Sequence, residues 1–197
     1  MIVKGVNLKD VEEMVNVLLA PAEIISGEPC TGRLTPVAST AMDIQILRAV
    51  TILRELDDIE LQAFYDLLEF REVPADERIL EEGTVVTHLC IIFDGAVHIR
   101  RLAQSREMLM GRLGPGGFFG EINLFDPGVA TASIYAVQRT LLAMVDYDRL
   151  RAFFAENPAT GYKIVSAMMT ETVRRLRQTS ARLVHSVYWS AAPDGIS

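Results

Sequence analysis

From residue 77 to residue 148 the sequence breaks into short runs rich in β-branched and aromatic residues, and turn residues punctuate them at nearly even spacing. The runs are "ERILEEGTVVTHLCIIFDGAVHIRRL", "EMLMGRLGPGGFFG" and "ATASIYAVQRTLLAMVDYD". They are interrupted at Gly83, Asp94–Gly95, Gly114–Gly117 and Gln138–Arg139. Strands this short cannot each bury an apolar face alone. Many of them joined by glycine turns predict a closed or doubled sheet, a β-barrel or jelly roll. Asp-Gly at 94–95, between two apolar runs, is also the dipeptide that favours a tight hairpin turn.

Helical spacing flanks this β-rich zone. On its N-terminal side, "MDIQILRAVTILREL" and "DDIELQAFYDLLEF" both repeat apolar residues at three and four. In the second, Leu61, Phe64, Leu67 and Leu68 share a face, and Asp57 or Asp58 can cap the start. On the C-terminal side "YDRLRAFFAEN" opens a helix and Pro158 opens another, which runs through "ATGYKIVSAMMTETVRRLRQTSARLVHSVYW". Its Val165, Met169, Thr172, Leu176, Thr179 and Leu183 step by four and three, the spacing of a coiled-coil seam. One side of a barrel does not need so many turns, so residues 160–187 are expected to form a homodimer interface. The overall class is mainly β with flanking helices (α+β), a jelly-roll β-barrel with a long C-terminal helix.

The first 41 residues read differently. "LKDVEEMVNVLLA" has helical apolar spacing and Pro21 stops it; "ISGEPCTGRLTPVAST" is rich in Gly, Pro, Ser and Thr and reads as a linker. This helix either rests on its own domain, or docks a protein partner or is swapped between chains. The expected division is therefore 1–41 (N-terminal helix and linker), 42–185 (the β domain with its long helix) and 186–197 (a tail). The first part is expected to be separable from the core.

Charge and rare residues exclude several functions. Asp+Glu 26 against Lys+Arg 19 gives a net charge of −7, which argues against a duplex-binding face, since such a face must release counterions. Few residues follow Leu183, too few for a three-helix DNA-binding unit, so no nucleic-acid partner is expected. Cys30 and Cys90 are too few for a disulfide framework, and Cys90 in "HLCIIF" reads as a buried free thiol. His88, His98 and His185 lack metal-ligand spacing, and no Ser/His/Asp or Cys/His set is placed for catalysis, so neither metal nor enzymatic activity is expected. No leader and no apolar run of membrane-spanning length occurs, which points to a cytoplasmic protein without a membrane partner.

One stretch carries chemistry: residues 118–136, "FFGEINLFDPGVATASIYA". Gly120 leaves the backbone open to close approach. A short helix over residues 121–125 would start with unpaired amides, which favour an anion, so Gly120, Glu121 and Ile122 form one half of a candidate site. Thr131 and Ala132 form the other half.

This stretch, together with "LEEGTVVTHLCIIFDGAVHI", resembles the cyclic nucleotide-binding domain, the family that includes catabolite activator proteins, cyclic nucleotide-gated channels and kinase regulatory subunits. The resemblance spans roughly residues 44–185. It implies that Glu121 accepts from a ribose 2′-hydroxyl, and that Thr131 and Ala132 offer amides and a hydroxyl to a cyclic phosphate; the alternative is that Glu121 caps its own helix. The family pattern continues with arginine, then Ser or Thr, Ala, Ser or Thr, and an aliphatic residue. This chain reads Ala130-Thr131-Ala132-Ser133-Ile134, so the phosphate-pairing arginine is missing. Losing one side of a desolvated charge pair costs about 2–5 kcal/mol. Helix amides return about 0.3–1 kcal/mol, which cannot offset that. Arg112, or the cluster Arg174, Arg175 and Arg177, remains as a substitute cation.

Two functions follow from the resemblance. The first is a regulatory or sensor module that binds a cyclic nucleotide (cAMP or cGMP) weakly or with altered chemistry. The second is a degenerate, ligand-free dimeric protein-interaction module.

Overall fold

The computed structural model describes residues 47–103 and 106–191. The predicted N-terminal helix and linker, and residues 192–197 of the predicted tail, lie outside the described residues. Among the described residues, eight strands form two four-stranded antiparallel sheets. One has the order β1 (Glu69–Val73), β8 (Thr140–Asp146), β3 (His88–Asp94), β6 (Phe118–Phe119). The other has the order β2 (Arg78–Leu80), β7 (Ser133–Ala136), β4 (Val97–Ala103), β5 (Arg106–Leu113). The expected jelly roll is therefore present, as is the long C-terminal helix.

Strand β3 shows why the two sheets need the helices. Cys90 and Ile92 face the second sheet and join Val97, Ile134 and Leu142 in an inter-sheet core. Leu89, Ile91 and Phe93 face the other way, into a larger cluster with Phe64, Leu150, Phe153, Ile164 and Met168 from the helices. A strand covered on both faces reads as a continuous apolar run, which "LCIIF" is. Cys90 is buried and forms no disulfide among the described residues.

The Asp-Gly turn corrects a sequence expectation. Asp94 ends β3 and Val97 begins β4, but the two strands lie in different sheets and do not pair. The dipeptide makes a corner between sheets instead. Gly95 takes φ +90°, and a Cβ there would fall 2.5 Å from Thr140 Oγ1. Thr140, itself fully buried, donates to the Ala96 carbonyl at 3.2 Å, and the Val137 amide donates to the same oxygen at 2.8 Å. The Gln138–Arg139 break is the corner between β7 and β8, so two crossovers brace each other at one end of the roll.

The helices depart from sequence expectation once more. Residues 47–56, the described part of the first predicted helix, are not one continuous helix: Val50 is extended, with ψ 121°, and a 3-10 turn follows at Thr51–Leu53. The burial of Leu47, Val50, Ile52 and Leu53 explains why the apolar pattern looked helical although the backbone is bent. Helix α1 (Asp58–Tyr65) is capped by Asp57, whose side chain accepts from the Ile59 and Glu60 amides at 2.9 Å. It stops before Phe70, which lies in β1 and not in the helix.

Helix α2 is Glu121–Phe125, α3 is Tyr147–Glu156 and α4 is Pro158–Ala191. Proline at the first position of α4 gives up an amide that has no helical partner. Gly161 lets α4 cross α3 closely, since a Cβ there would lie 3.1 Å from Phe154.

Glu60 fastens α1 to α4. Its carboxylate accepts from the Asp57 amide at 2.9 Å, from Thr160 Oγ1 at 3.0 Å and from Lys163 Nζ at 2.7 and 2.8 Å. The Lys163 hydrogen bond holds the carboxyl below the usual glutamate range. A depressed folded-state value means the stabilisation is present above that range and is lost as the pH falls through the lowered value. Glu60→Ala should cost about 1–2 kcal/mol at neutral pH, with a smaller difference from wild type in acid. Urea melts at the two pH values measure this.

Candidate functional site

The candidate site is assembled where β6, α2 and the loop before β7 meet the middle of α4. Gly120 joins β6 to α2 with φ +90°, and a Cβ there would run into the His88 carbonyl oxygen of β3. Glycine is therefore required by both the left-handed backbone and the close strand. Tyr147, at the start of α3, donates its hydroxyl to the Gly120 carbonyl. Burial pushes that phenol up, so it remains a donor throughout the ordinary pH range.

Glu121 is buried. Its Oε1 lies 3.2 Å from Nη1 of Arg175 on α4, and the same Nη1 donates to the Phe118 carbonyl at 2.9 Å. The guanidinium also lies over the Phe118 ring, 4.4 Å from its centroid. Burial raises the Glu121 carboxyl above its ordinary value, and the Arg175 charge pulls in the opposite direction. Glu171, one turn back on α4, takes Arg175 Nε at 3.3 Å and Arg174 Nη2 at 2.6 Å. Of the substitute cations the sequence offered, Arg175 is the one that reaches Glu121. Arg174 is held by Glu171, and Arg112 lies on β5.

Asn123 and the β2–β3 connection position the other half of the site. Asn123 is buried in α2 and donates Nδ2 to the Val129 carbonyl at 3.3 Å. Ala130 exchanges backbone bonds with the connection, its amide to the Thr84 oxygen and its oxygen from the Gly83 amide, both at 2.8 Å. Ser133 Oγ accepts from the Glu82 amide at 2.9 Å. Thr131 stays exposed and Ala132 half-buried at the end of this loop. Ile122 is 46% exposed, so its side chain points away from the buried Glu121.

Sequence reasoning missed Phe118, Asn123 and Tyr147 as parts of this site. Phe118 and Tyr147 looked like ordinary core residues. Only Asn123 left a signal, an amide side chain within the apolar "EINLF".

A cyclic nucleotide has a neutral sugar edge and one anionic phosphate, and the residues fit the two unequally. Buried Glu121 suits a ribose hydroxyl, whereas the side of Gly120 that lacks a Cβ is taken up by the His88 carbonyl of β3. Residue 130, where the resemblance implies a phosphate-pairing arginine, is a buried alanine. Arg175 places its guanidinium beside Glu121 in the cradle.

These features define a class: a two-sheet β-roll with a glycine-acid cradle closed by a long helix. The comparisons agree, with residues 70–157 matching the family model "Cyclic nucleotide-binding domain". Residues 70–157 thus match a cyclic nucleotide-binding domain of the catabolite-activator type.

Among its relatives is the CRP-like cAMP-activated global transcriptional regulator of Mycobacterium tuberculosis, 30% identical over 145 residues, which are 73% of this chain and 63% of the relative. The chain thus spans just over six-tenths of that relative. Among solved structures, a cyclic nucleotide-binding domain from Methylobacillus flagellatus superposes with TM-score 0.67 at 20% identity, covering 80% of this chain and 86% of that one. The Thermus thermophilus catabolite activator protein superposes with TM-score 0.62 at 24% identity, covering 70% and 63%. At such identities the two structures show the shared fold. Among the described residues, no helix is long and apolar enough to cross a membrane.

Proposed function

We propose that the chain is a regulatory sensor module in which a cyclic nucleotide, cAMP or cGMP, binds weakly, with Arg175 as the site's cation in place of an arginine at position 130. The observation that carries this reading is the buried Glu121 carboxylate within hydrogen-bond distance of the half-buried Arg175 guanidinium. A ligand hydroxyl approaching Glu121 meets a carboxylate already engaged, which lowers the gain from binding.

The same observation favours a second reading, a self-filled cradle on a dimeric interaction module. A calorimetric titration with cAMP and cGMP separates the two. Weak saturable binding, lost in Glu121→Ala, supports the sensor. Absence of binding at millimolar nucleotide supports the interaction module. A relative's name includes transcriptional regulation, but a net charge of −7 gives this stretch of chain no general basic surface for a duplex.

Dimerisation through α4 belongs to either reading. With 34 residues the helix is about 51 Å long. Ile164 and Met168 bury its first turns, and beyond them Met169, Val173 and Leu176 are exposed at steps of four and three. Leu176→Glu should convert a dimer to monomers by placing an unpaired charge in the seam. Light scattering at about tens of micromolar, above the dissociation constant of an ordinary stable dimer, checks this; a monomeric wild type would remove the idea.

A further inference from the structure

We propose that the outer edge of the β4–β5 hairpin is the docking site for this chain's own acidic segment, residues 8–28. Among the described residues, β5 is the last strand of its sheet, paired only with β4. A strand over a core hides every second residue. Here every residue from Arg106 to Met110 is exposed, including Met108 (54%), Leu109 (61%) and Met110 (45%). Leu102 across the hairpin is 63% exposed. Adjacent exposed side chains of this size, on a strand with one free edge, mark a surface that something covers.

The charge on the hairpin indicates what covers it. Residues 98–113 hold four arginines and one glutamate in a chain of net charge −7. Arg100 is paired with Glu107 and Arg101 with Glu82. Arg106 and Arg112 make no ion pair among the described residues. The occupant should therefore be apolar and acidic. Residues 8–28, "LKDVEEMVNVLLAPAEIISGE", carry Asp10, Glu12, Glu13, Glu23 and Glu28 against a single lysine, interleaved with Leu, Val, Met and Ile.

Connectivity brings the segment to the hairpin. The described chain begins at Leu47, and the Ala49 carbonyl oxygen would lie 3.0 Å from a Cβ on Gly116, in the loop leaving β5. The 18 residues from 29 to 46 can span up to about 60 Å, whereas Leu109 is at most about 24 Å of chain from Gly116. The tether keeps the segment at a local concentration of about millimolar, so a shallow contact is enough to hold it.

Photo-cross-linking tests the assignment in the full chain. Leu109 is replaced by p-benzoylphenylalanine, and 15N-labelled and unlabelled chains are mixed, irradiated, digested and analysed by mass spectrometry. The expected products join the β5 peptide to residues 8–28 within one isotopic label, and their yield falls at high salt. Arg106→Glu with Arg112→Glu should lower the yield about fivefold or more while the thermal midpoint stays in place. Products joining labelled to unlabelled chains, or ending on α4, make a second copy the occupant and overturn the proposal. Absence of a cross-link to residues 8–28, or a yield unchanged in the double variant, overturns it as well.

Discussion

Ala130→Arg should raise the affinity for cAMP or cGMP by roughly 30-fold to several-thousand-fold, the equivalent of about 2–5 kcal/mol at 1.4 kcal/mol per factor of ten. The frame for the new side chain is already rigid. The backbone of residue 130 is held on both sides by Gly83 and Thr84, and Asn123 ties the preceding carbonyl to α2. An arginine there would add one charge-assisted contact to the phosphate, and such contacts are about twice as strong as neutral ones. Glu121→Ala in the same background should abolish the gain by removing the acceptor for the ribose. Calorimetry on the wild type, the single variant and the double variant checks the prediction. Tight binding by the wild type would show that Arg175 already supplies the full charge. No binding by any of the three would show that the cradle is closed, which is the interaction-module reading.

The roll was legible in the sequence because glycines and apolar runs are local signals. Gly83, Gly95, Gly116 and Gly120 all take positive φ, so the breaks marked real turns. What Asp94–Gly95 could not reveal is which strands pair across it. A corner and a hairpin use the same left-handed glycine, and only the distant Thr140 and Val137 decide between them. Residues 47–56 departed from expectation for a related reason: burial repeats at helical spacing there although Val50 breaks the helix. In the candidate site, Gly120 and Glu121 could be named from their immediate neighbours. Arg175 could be named only as one of several cations, because its choice depends on the pitch of α4 at a sequence separation of 54.

Arg175→Ala should be the most destabilising single change at the site, about 3–5 kcal/mol at neutral pH, since it leaves a buried carboxylate without its partner. The guanidinium holds three groups at once: Glu121, the Phe118 carbonyl and Glu171. Its removal also takes away the charge that partly counters burial at Glu121, so the Glu121 carboxyl should rise further above its ordinary value. The sign of the pH dependence follows. A carboxyl whose folded-state value is raised contributes fully below the ordinary glutamate range, where folded and unfolded states are both protonated, and loses that contribution as the pH rises through the raised value. The deficit of Arg175→Ala relative to wild type should therefore be largest at neutral pH and shrink as the pH falls toward the ordinary glutamate range. Glu121→Gln added to Arg175→Ala should recover part of the lost stability at neutral pH, because a neutral amide tolerates burial better than an unpaired carboxylate. Thermal melts across this pH range on the single and double variants decide the matter. A deficit that does not change with pH would place the role of Arg175 in its stacking on Phe118 and its bond to the Phe118 carbonyl, and not in neutralising Glu121.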